Sequence, residues 1–233
     1  MHKISICIPT WEQHGYGKKY LTELVESIKK QTFTNFNIII SDHSVGDGIK
    51  NLIDSYSNIL DIVYIKNEEK RGNGPANTNN SIKYADGDII KIMFQDDLFV
   101  NDRALEIIEK TFNDGSCNWV ANGCNHTTDG KNFNRKMVPS WNDGILYGNN
   151  TISSPSVLSI RNVDTLFFDE GLVMLMDCEY YFQLFTKYGH PTILSDTLVS
   201  NRMHQHQISS MYNKNINDEI TYIKNKYLNH AHK

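Results

Sequence analysis

Several absences narrow what this chain does before any motif is considered. No apolar run approaches the roughly 20 residues needed to cross a bilayer as a helix. Met1-His2-Lys3-Ile4 enters an apolar stretch almost at once, without the pattern of a cleavable leader, so a cytoplasmic location is expected, with peripheral association at a membrane left open. Cysteine is scarce. The four residues Cys7, Cys117, Cys124 and Cys178 include no C-x-x-C pair, which argues against a disulfide framework or a zinc ribbon and for reduced, buried thiols. Lys and Arg form no run and the net charge is −4, which removes the electrostatic basis for a nucleic-acid partner. There is no internal repeat and no linker-like stretch, and 233 residues suffice to bury one core, so a single domain is expected.

What is present is an alternation of two periodicities. Ile4 to Ile8 reads as a strand stopped by Pro9. Leu21, Leu24, Val25 and Ile28 then recur at helical spacing and predict a helix over 18–30. Phe36 to Ile40 is a second strand, apolar enough to be buried on both faces. Ile49, Leu52, Ile53 and Tyr56 repeat the helical spacing, and Ile62 to Ile65 is a third strand. After the Arg71-Gly72-Asn73-Gly74 turn, Pro75 suits the first turn of a helix ending near Ala85. Ile89 to Phe94 is a fourth strand, and Asn101 is placed to cap a helix carrying Leu105, Ile108 and Phe112. This order predicts an α/β fold with a mostly parallel sheet flanked by helices. Ligands of such sheets bind beyond the carboxyl ends of the strands, which puts Pro9-Thr10, Asp42 and Asp96-Asp97 on one rim.

The second half is less periodic. Residues 125–141 are polar and predict a long loop beside the site, with Ser153-Ser154-Pro155-Ser156 as a second acceptor-side surface. Ser156 to Ile160 reads as a strand, 177–188 as a helix and 216–229 as a weaker amphipathic helix.

Asp96-Asp97 is the first candidate for chemistry. Two adjacent carboxylates repel, and a divalent cation offsets that repulsion; Mg²⁺ and Mn²⁺ bind through one or two carboxylates plus substrate phosphates. A solvated turn explains the same dipeptide taken alone. Asp42 can accept from a base imide or a ribose hydroxyl, or it can bond its own turn.

Taken in series, Ile4 to Thr10, Gln31 to Phe36 followed by Ile38 to Ser44, and Asp86-Gly87-Asp88-Ile89-Ile90 leading into Gln95-Asp96-Asp97 resemble the family-2 glycosyltransferases of GT-A fold over roughly the first 110 residues. The resemblance implies a nucleotide-diphospho-sugar donor, UDP-linked by preference, a Mn²⁺ or Mg²⁺ cofactor, and a glycan, polysaccharide or lipid-linked acceptor. It places Pro9 and Thr10 at the base, Asp42 on the uracil or its equivalent, Arg71 in the loop lining the nucleotide pocket, Asp96 at ribose or phosphate, and Asp97 on the metal. Ser41 and His43 stand where the family usually has an acidic residue and a glycine, and Gln-Asp-Asp varies its Asp-x-Asp pattern.

Asp169 to Leu172 with Met176 to Tyr181 resembles the family's acceptor-side segment, where an acidic residue at a helix start is the catalytic base. Asp177 holds that position, behind Met176 in place of the usual Glu, with Glu179 and Glu170 as the other candidates. A carboxylate there also suits a helix N-terminus without any catalysis. Arg202-Met203-His204 resembles the late Arg-x-His segment, which makes His204 a further metal or phosphate contact, with His206 beside it. The implied layout is a donor half (1–112), an acceptor half (113–210) and a C-terminal helix (211–233), and the implied reaction is an inverting single displacement.

Two other classes compete. A sugar-nucleotide nucleotidyltransferase would open with a Gly-rich phosphate loop followed by Arg and Lys, and Trp11 to Lys19 lacks that pattern. The other is an inactive domain that only binds a nucleotide sugar or a partner; Asp42, Asp96, Asp97 and Asp177 together argue against it, and release of a nucleoside diphosphate by the purified protein discriminates the two.

Overall fold

The computed structural model describes residues 2–113, 115–205, 207 and 216–228. Nine strands form one sheet in the order β3-β2-β1-β4-β8-β6-β9-β5, with β7 paired to the side of β6. The first four spatial neighbours are the βα units expected from the sequence: β1 (Ile4–Thr10), α1 (Gly17–Lys29), β2 (Phe36–Asp42), α2 (Gly48–Asp54), β3 (Ile62–Lys66), α3 (Gly74–Lys83) and β4 (Ile89–Ile92). Their ladders are all parallel. Ile4, Ile6, Ile8, Ile38, Ile39, Ile40, Ile89 and Ile92 are fully buried in the centre of this sheet. Each such side chain contributes roughly 1.5–3 kcal/mol relative to exposure.

Pro9 does not stop β1. The strand continues to Thr10, with Pro9 in register with Ser41 and Thr10 with Asp42. On its other side β4 ends at Ile92, opposite Cys7. Beyond that point the β1 backbone has no ladder partner on the β4 side, so a residue without an N–H is tolerated. The same early end of β4 opens a gap in the sheet into which residues 93–97 turn.

The remaining strands are β5 (Leu98–Phe99), β6 (Trp119–Thr127), β7 (Asn134–Met137), β8 (Leu158–Arg161) and β9 (Thr192–Arg202). β8 runs antiparallel to both β4 and β6, whereas β6 and β9 are parallel. The predicted 125–141 loop is therefore mostly a hairpin of β6 and β7. Its polarity misleads because Asn122, Asn125 and Thr127 are buried in the β6 ladder, while β7 is an exposed edge. The strand expected from Ser156 starts instead at Leu158, after a 3-10 turn over Pro155–Val157 that Ser154 caps.

Asn101 does not cap the helix before Leu105. Its side chain accepts from the Arg103 N–H at 2.9 Å, one turn ahead of α4 (Ala104–Phe112), and the Leu105 N–H donates to Gln31 Oε1 at 3.0 Å. α5 (Met176–Tyr188) and α6 (Ile216–Leu228) complete the chain. Lys91 is wholly buried where β4 meets β8. Its ammonium donates to Ser156 O at 2.5 Å and Leu158 O at 3.2 Å, and burial pulls its pKa down to about 7. Among the described residues, no helix is long and apolar enough to cross a membrane.

Candidate active site

Where β1, β2 and β4 end, a cleft of about 470 Å³ opens. Its floor comes from the ends of β1 and β2. Pro9 and His43 face the cleft, but Thr10 and Asp42 lie beneath it. The Asp42 carboxylate is fully enclosed. It accepts from Tyr64 Oη at 2.6 Å, the Ser44 N–H at 2.8 Å and Thr10 Oγ1 at 3.3 Å. Burial, then the bond to Asp42 and its charge, raises the Tyr64 pKa. His43 sits within 3.1 Å of Glu69 O and 3.0 Å of Asn67 Nδ2, and burial pulls its pKa below the ordinary imidazole value.

The loop before α3 gives Gly72 to the cleft wall, and α3 adds Gly74, Asn77 and Thr78. Asn77 is held from below, donating to Thr10 O at 3.0 Å and accepting from Ser41 Oγ at 2.6 Å. Arg71 is exposed and pairs with Glu68 at 3.1 Å rather than lining the cleft.

The turn after β4 separates the two adjacent carboxylates. Asp96 faces the cleft, and its Oδ2 lies 2.9 Å from His204 Nε2. Asp97 points into the protein, 5% exposed. It accepts the Arg202 N–H at 2.8 Å and Ser154 Oγ at 3.3 Å. Burial, with the Asp96 charge beside it, pushes the Asp97 pKa up. Arg202 is itself buried. Its Nε donates to Asp96 O at 2.8 Å, its other end pairs with Glu23, and its guanidinium lies 4.5 Å from the Tyr20 ring centroid.

A relay of side-chain amides completes this corner. The Trp11 N–H donates to Gln95 Oε1 at 2.9 Å, which obliges Gln95 Nε2 to donate to Gln13 Oε1 at 2.6 Å. Gln13 Nε2 is thereby turned toward Asp96 Oδ2 at 3.4 Å and His204 Nε2 at 3.3 Å. Gln13 and His14 adopt φ of 47° and 52°, a conformation that non-glycine residues hold only when their surroundings enforce it. Gly17 secures the turn from behind, since a Cβ there would stand 2.1 Å from Trp11 O. Sequence reasoning missed Gln13 and His43. His43 stood out only as a departure from the family pattern, and the Gln13 relay depends on contacts 82 positions apart.

The opposite wall carries Val173, Met174, Met176 and Asp177. Asp177 is half-buried in the first turn of α5. One oxygen accepts from Asn150 Nδ2 at 2.7 Å and the other from the Cys178 N–H at 2.7 Å. Burial outweighs these bonds and raises its pKa to about 6. Glu179 and Glu170 are engaged elsewhere. Glu179 is fully buried against Lys226, Tyr227 and Gln183, and Glu170 pairs with Lys70 and Asn79. His206 lies outside the described residues.

Among the described residues, no cluster of three or more His, Cys, Asp or Glu side chains is arranged to hold a metal ion. Asp96 and His204 converge as a pair, a donor set that suits Mn²⁺ or Mg²⁺ when diphosphate oxygens and water supply the remaining positions.

Comparison with known proteins agrees with this architecture. The chain is 30% identical over 109 residues to the poly(ribitol-phosphate) beta-N-acetylglucosaminyltransferase TarS of Staphylococcus aureus, a match covering 46% of this chain and 18% of that protein. It is 32% identical over 95 residues to glycosyltransferase GlyG of Streptococcus pneumoniae, covering 41% of this chain and 30% of that one. The matches span about a third or less of these relatives. The crystal structure of S. aureus TarS 1–349 in complex with UDP superposes with a TM-score of 0.69 at 20% identity, over 97% of this chain and 71% of the other. A mannosyltransferase from Pyrobaculum calidifontis in complex with GDP-Man and Mn²⁺ gives 0.65 at 13% identity, over 87% of this chain and 57% of the other. The model of glycosyl transferase family 2 matches residues 5–162, most of the chain, and with the GT-A architecture around the cleft it shows that this chain belongs to that family.

Proposed function

We propose that the chain is an inverting glycosyltransferase domain. It moves a sugar from a nucleotide-diphospho-sugar, UDP-linked by preference, to a hydroxyl of a glycan, polysaccharide or lipid-linked acceptor. The observation that carries this reading is that one cleft is lined by both Asp96, which His204 contacts from behind at 2.9 Å, and Asp177, with its raised pKa. The relatives support the substrate classes. TarS is named for transfer of N-acetylglucosamine and its structures hold UDP and UDP-GlcNAc, and a Campylobacter jejuni relative is named as a glucosyltransferase acting on an undecaprenol-linked glycan.

In this reading residues 1–112, joined by His204, hold the donor and the rest of 113–210 receives the acceptor. Pro9, His43 and Asn77 meet the base and ribose. Thr10 and Asp42 shape that floor from below, because their polar atoms are already paired. The roles expected of the two adjacent carboxylates exchange. Asp96 and His204 are the residues that would hold Mn²⁺ or Mg²⁺, while Asp97 ties the turn to the end of β9. Such a cation, when bound, supplies positive charge against the leaving diphosphate.

Asp177 takes the proton of the acceptor hydroxyl as that oxygen forms its bond to the anomeric carbon. The bond from that carbon to the diphosphate breaks on the opposite face, which inverts the configuration. A carboxylate with a pKa near 6 is ionised at neutral pH yet basic enough for this task. Asn150 holds one oxygen and the Cys178 N–H the other, so the group is oriented before substrate arrives.

Calorimetry with UDP and a panel of UDP- and GDP-sugars, with and without Mn²⁺, tests the reading. Donor binding that strengthens with Mn²⁺, together with release of the nucleoside diphosphate, is expected. No binding of any nucleotide sugar would sink it.

A further inference from the structure

The C-terminal helix α6 lies beyond the residues matched by the family model, yet it reaches the acceptor wall of the cleft. Its Glu219 side chain is 7% exposed and takes three successive backbone N–H groups. Oε1 accepts from Val173 at 3.1 Å, and Oε2 accepts from Met174 at 3.0 Å and Leu175 at 2.9 Å. Val173 and Met174 line the cleft, Leu175 is the residue from which α5 starts, and Met176 and Asp177 follow within the first turn. The helix is anchored at two further points. Ile223 is fully buried, and Lys226 bridges Asp169 at 2.5 Å and Glu179 at 2.7 Å.

We infer that Glu219 is a positioning residue for the acceptor side: its carboxylate fixes the 173–175 backbone and thereby sets where Met174 and Asp177 stand in the cleft. The physical reason is the donor count. Three N–H groups on consecutive residues of a non-helical segment, the last of them buried and the first two half-buried, make no backbone hydrogen bond, and donors withdrawn from water must be satisfied. A carboxylate offers acceptors at both oxygens, so one side chain satisfies all three. Glutamine would present an NH₂ group to at least one of them, so the segment would have to shift. Asp177 lies two residues beyond Leu175 and would move with it. The donor corner is held by other bonds, from Gln13 and His204 to Asp96.

The inference rests on the reading of Asp177 as the base, and its test separates the two. In Glu219→Gln, hydrogen exchange at the Val173, Met174 and Leu175 amides should accelerate by about tenfold or more. The Asp177 midpoint, followed by carboxyl NMR, should leave the neighbourhood of 6. UDP release from UDP-GlcNAc should fall about tenfold to a hundredfold in kcat. UDP affinity in Mn²⁺ should stay within about twofold of the parent. Glu219→Asp, which keeps two acceptor oxygens, should recover part of each effect and serves as the deciding variant if the glutamine form does not fold. Exchange rates and an Asp177 midpoint equal to the parent's would overturn the inference, as would a loss of UDP affinity in step with melting temperature, which marks general loosening. If the parent protein released no nucleoside diphosphate from any donor of the UDP- and GDP-sugar panel, the proposed function would fall, while the amide and NMR readouts would still decide the role of Glu219.

Discussion

The two sides of the cleft are built by different rules. On the donor side, β1, β2, β3 and β4 are joined by short helical crossovers and every ladder among them is parallel. On the acceptor side, β6 lies between an antiparallel β8 and a parallel β9 that starts more than sixty residues after β6 ends. The donor side takes its frame from strand ends, where the backbone delivers Pro9, Thr10 and Asp42, and adds the Gln13–Gln95 relay and His204 at one corner. The acceptor side has no such frame: side-chain bonds from Asn150 and Glu219, far apart in the chain, hold the continuous 173–177 stretch. Strand-end groups are therefore expected to tolerate change around them, and the acceptor groups to depend on their neighbours.

The largest test of that contrast is Asp177→Asn. Transfer should fall by about 10²–10⁴-fold while donor affinity persists, as measured by turnover beside calorimetry. Near-parental turnover would break the assignment of the two walls. Next come the paired variants of the β4 turn. Asp96→Ala should abolish the gain in UDP affinity on adding Mn²⁺. Asp97→Ala should instead cost about 1–3 kcal/mol of stability in urea melts, because the buried Arg202 N–H loses its acceptor. An unchanged Mn²⁺ response in Asp96→Ala with a lost one in Asp97→Ala would reverse the roles.

A smaller effect is expected from pH. Asp177 accepts a proton only when ionised, and burial has raised its pKa to about 6. Transfer should therefore climb as pH rises through about 6 and level off above it, at constant donor saturation. Removing the Asn150 amide, a bond that holds the pKa down, should shift that limb upward in Asn150→Ala. The smallest effect belongs to Arg71→Ala. An exposed pair with Glu68 predicts a stability change within about 0.5 kcal/mol and unaltered UDP affinity. A large loss of affinity would return Arg71 to the nucleotide pocket.

The parts of the fold that could be read in advance are those whose information is local. Leu21, Leu24, Val25 and Ile28 share one helix face whatever else the chain does, and all four are buried. The bounds of β2 and β3 came within two residues for the same reason. The errors fall where distant partners decide. Pro9 stays in β1 because β4 ends early beside it, and Asn122, Asn125 and Thr127 lie in a strand because β9 pairs with them. At the site, proximity to a strand end was legible and side-chain direction was not. Adjacent strand-end residues point to opposite sides, and which of them faces the cleft depends on what lies below. Asp42 shows it, its carboxylate spent on Tyr64, Ser44 and Thr10 while His43 faces the cleft, and the turn after β4 parts Asp96 from Asp97 with the same outcome.

The sequence by itself determined the α/β alternation, the rim on which chemistry-bearing residues would gather, and the family resemblance, because hydrophobic periodicity and motif order are properties of the chain alone. Only the tertiary structure decided which carboxylate meets the cleft, that the Gln13–Gln95 relay turns an amide toward Asp96, and that Glu219 braces the wall carrying Asp177. Those outcomes depend on hydrogen-bond geometry between residues 44 to 108 positions apart, which no local pattern encodes.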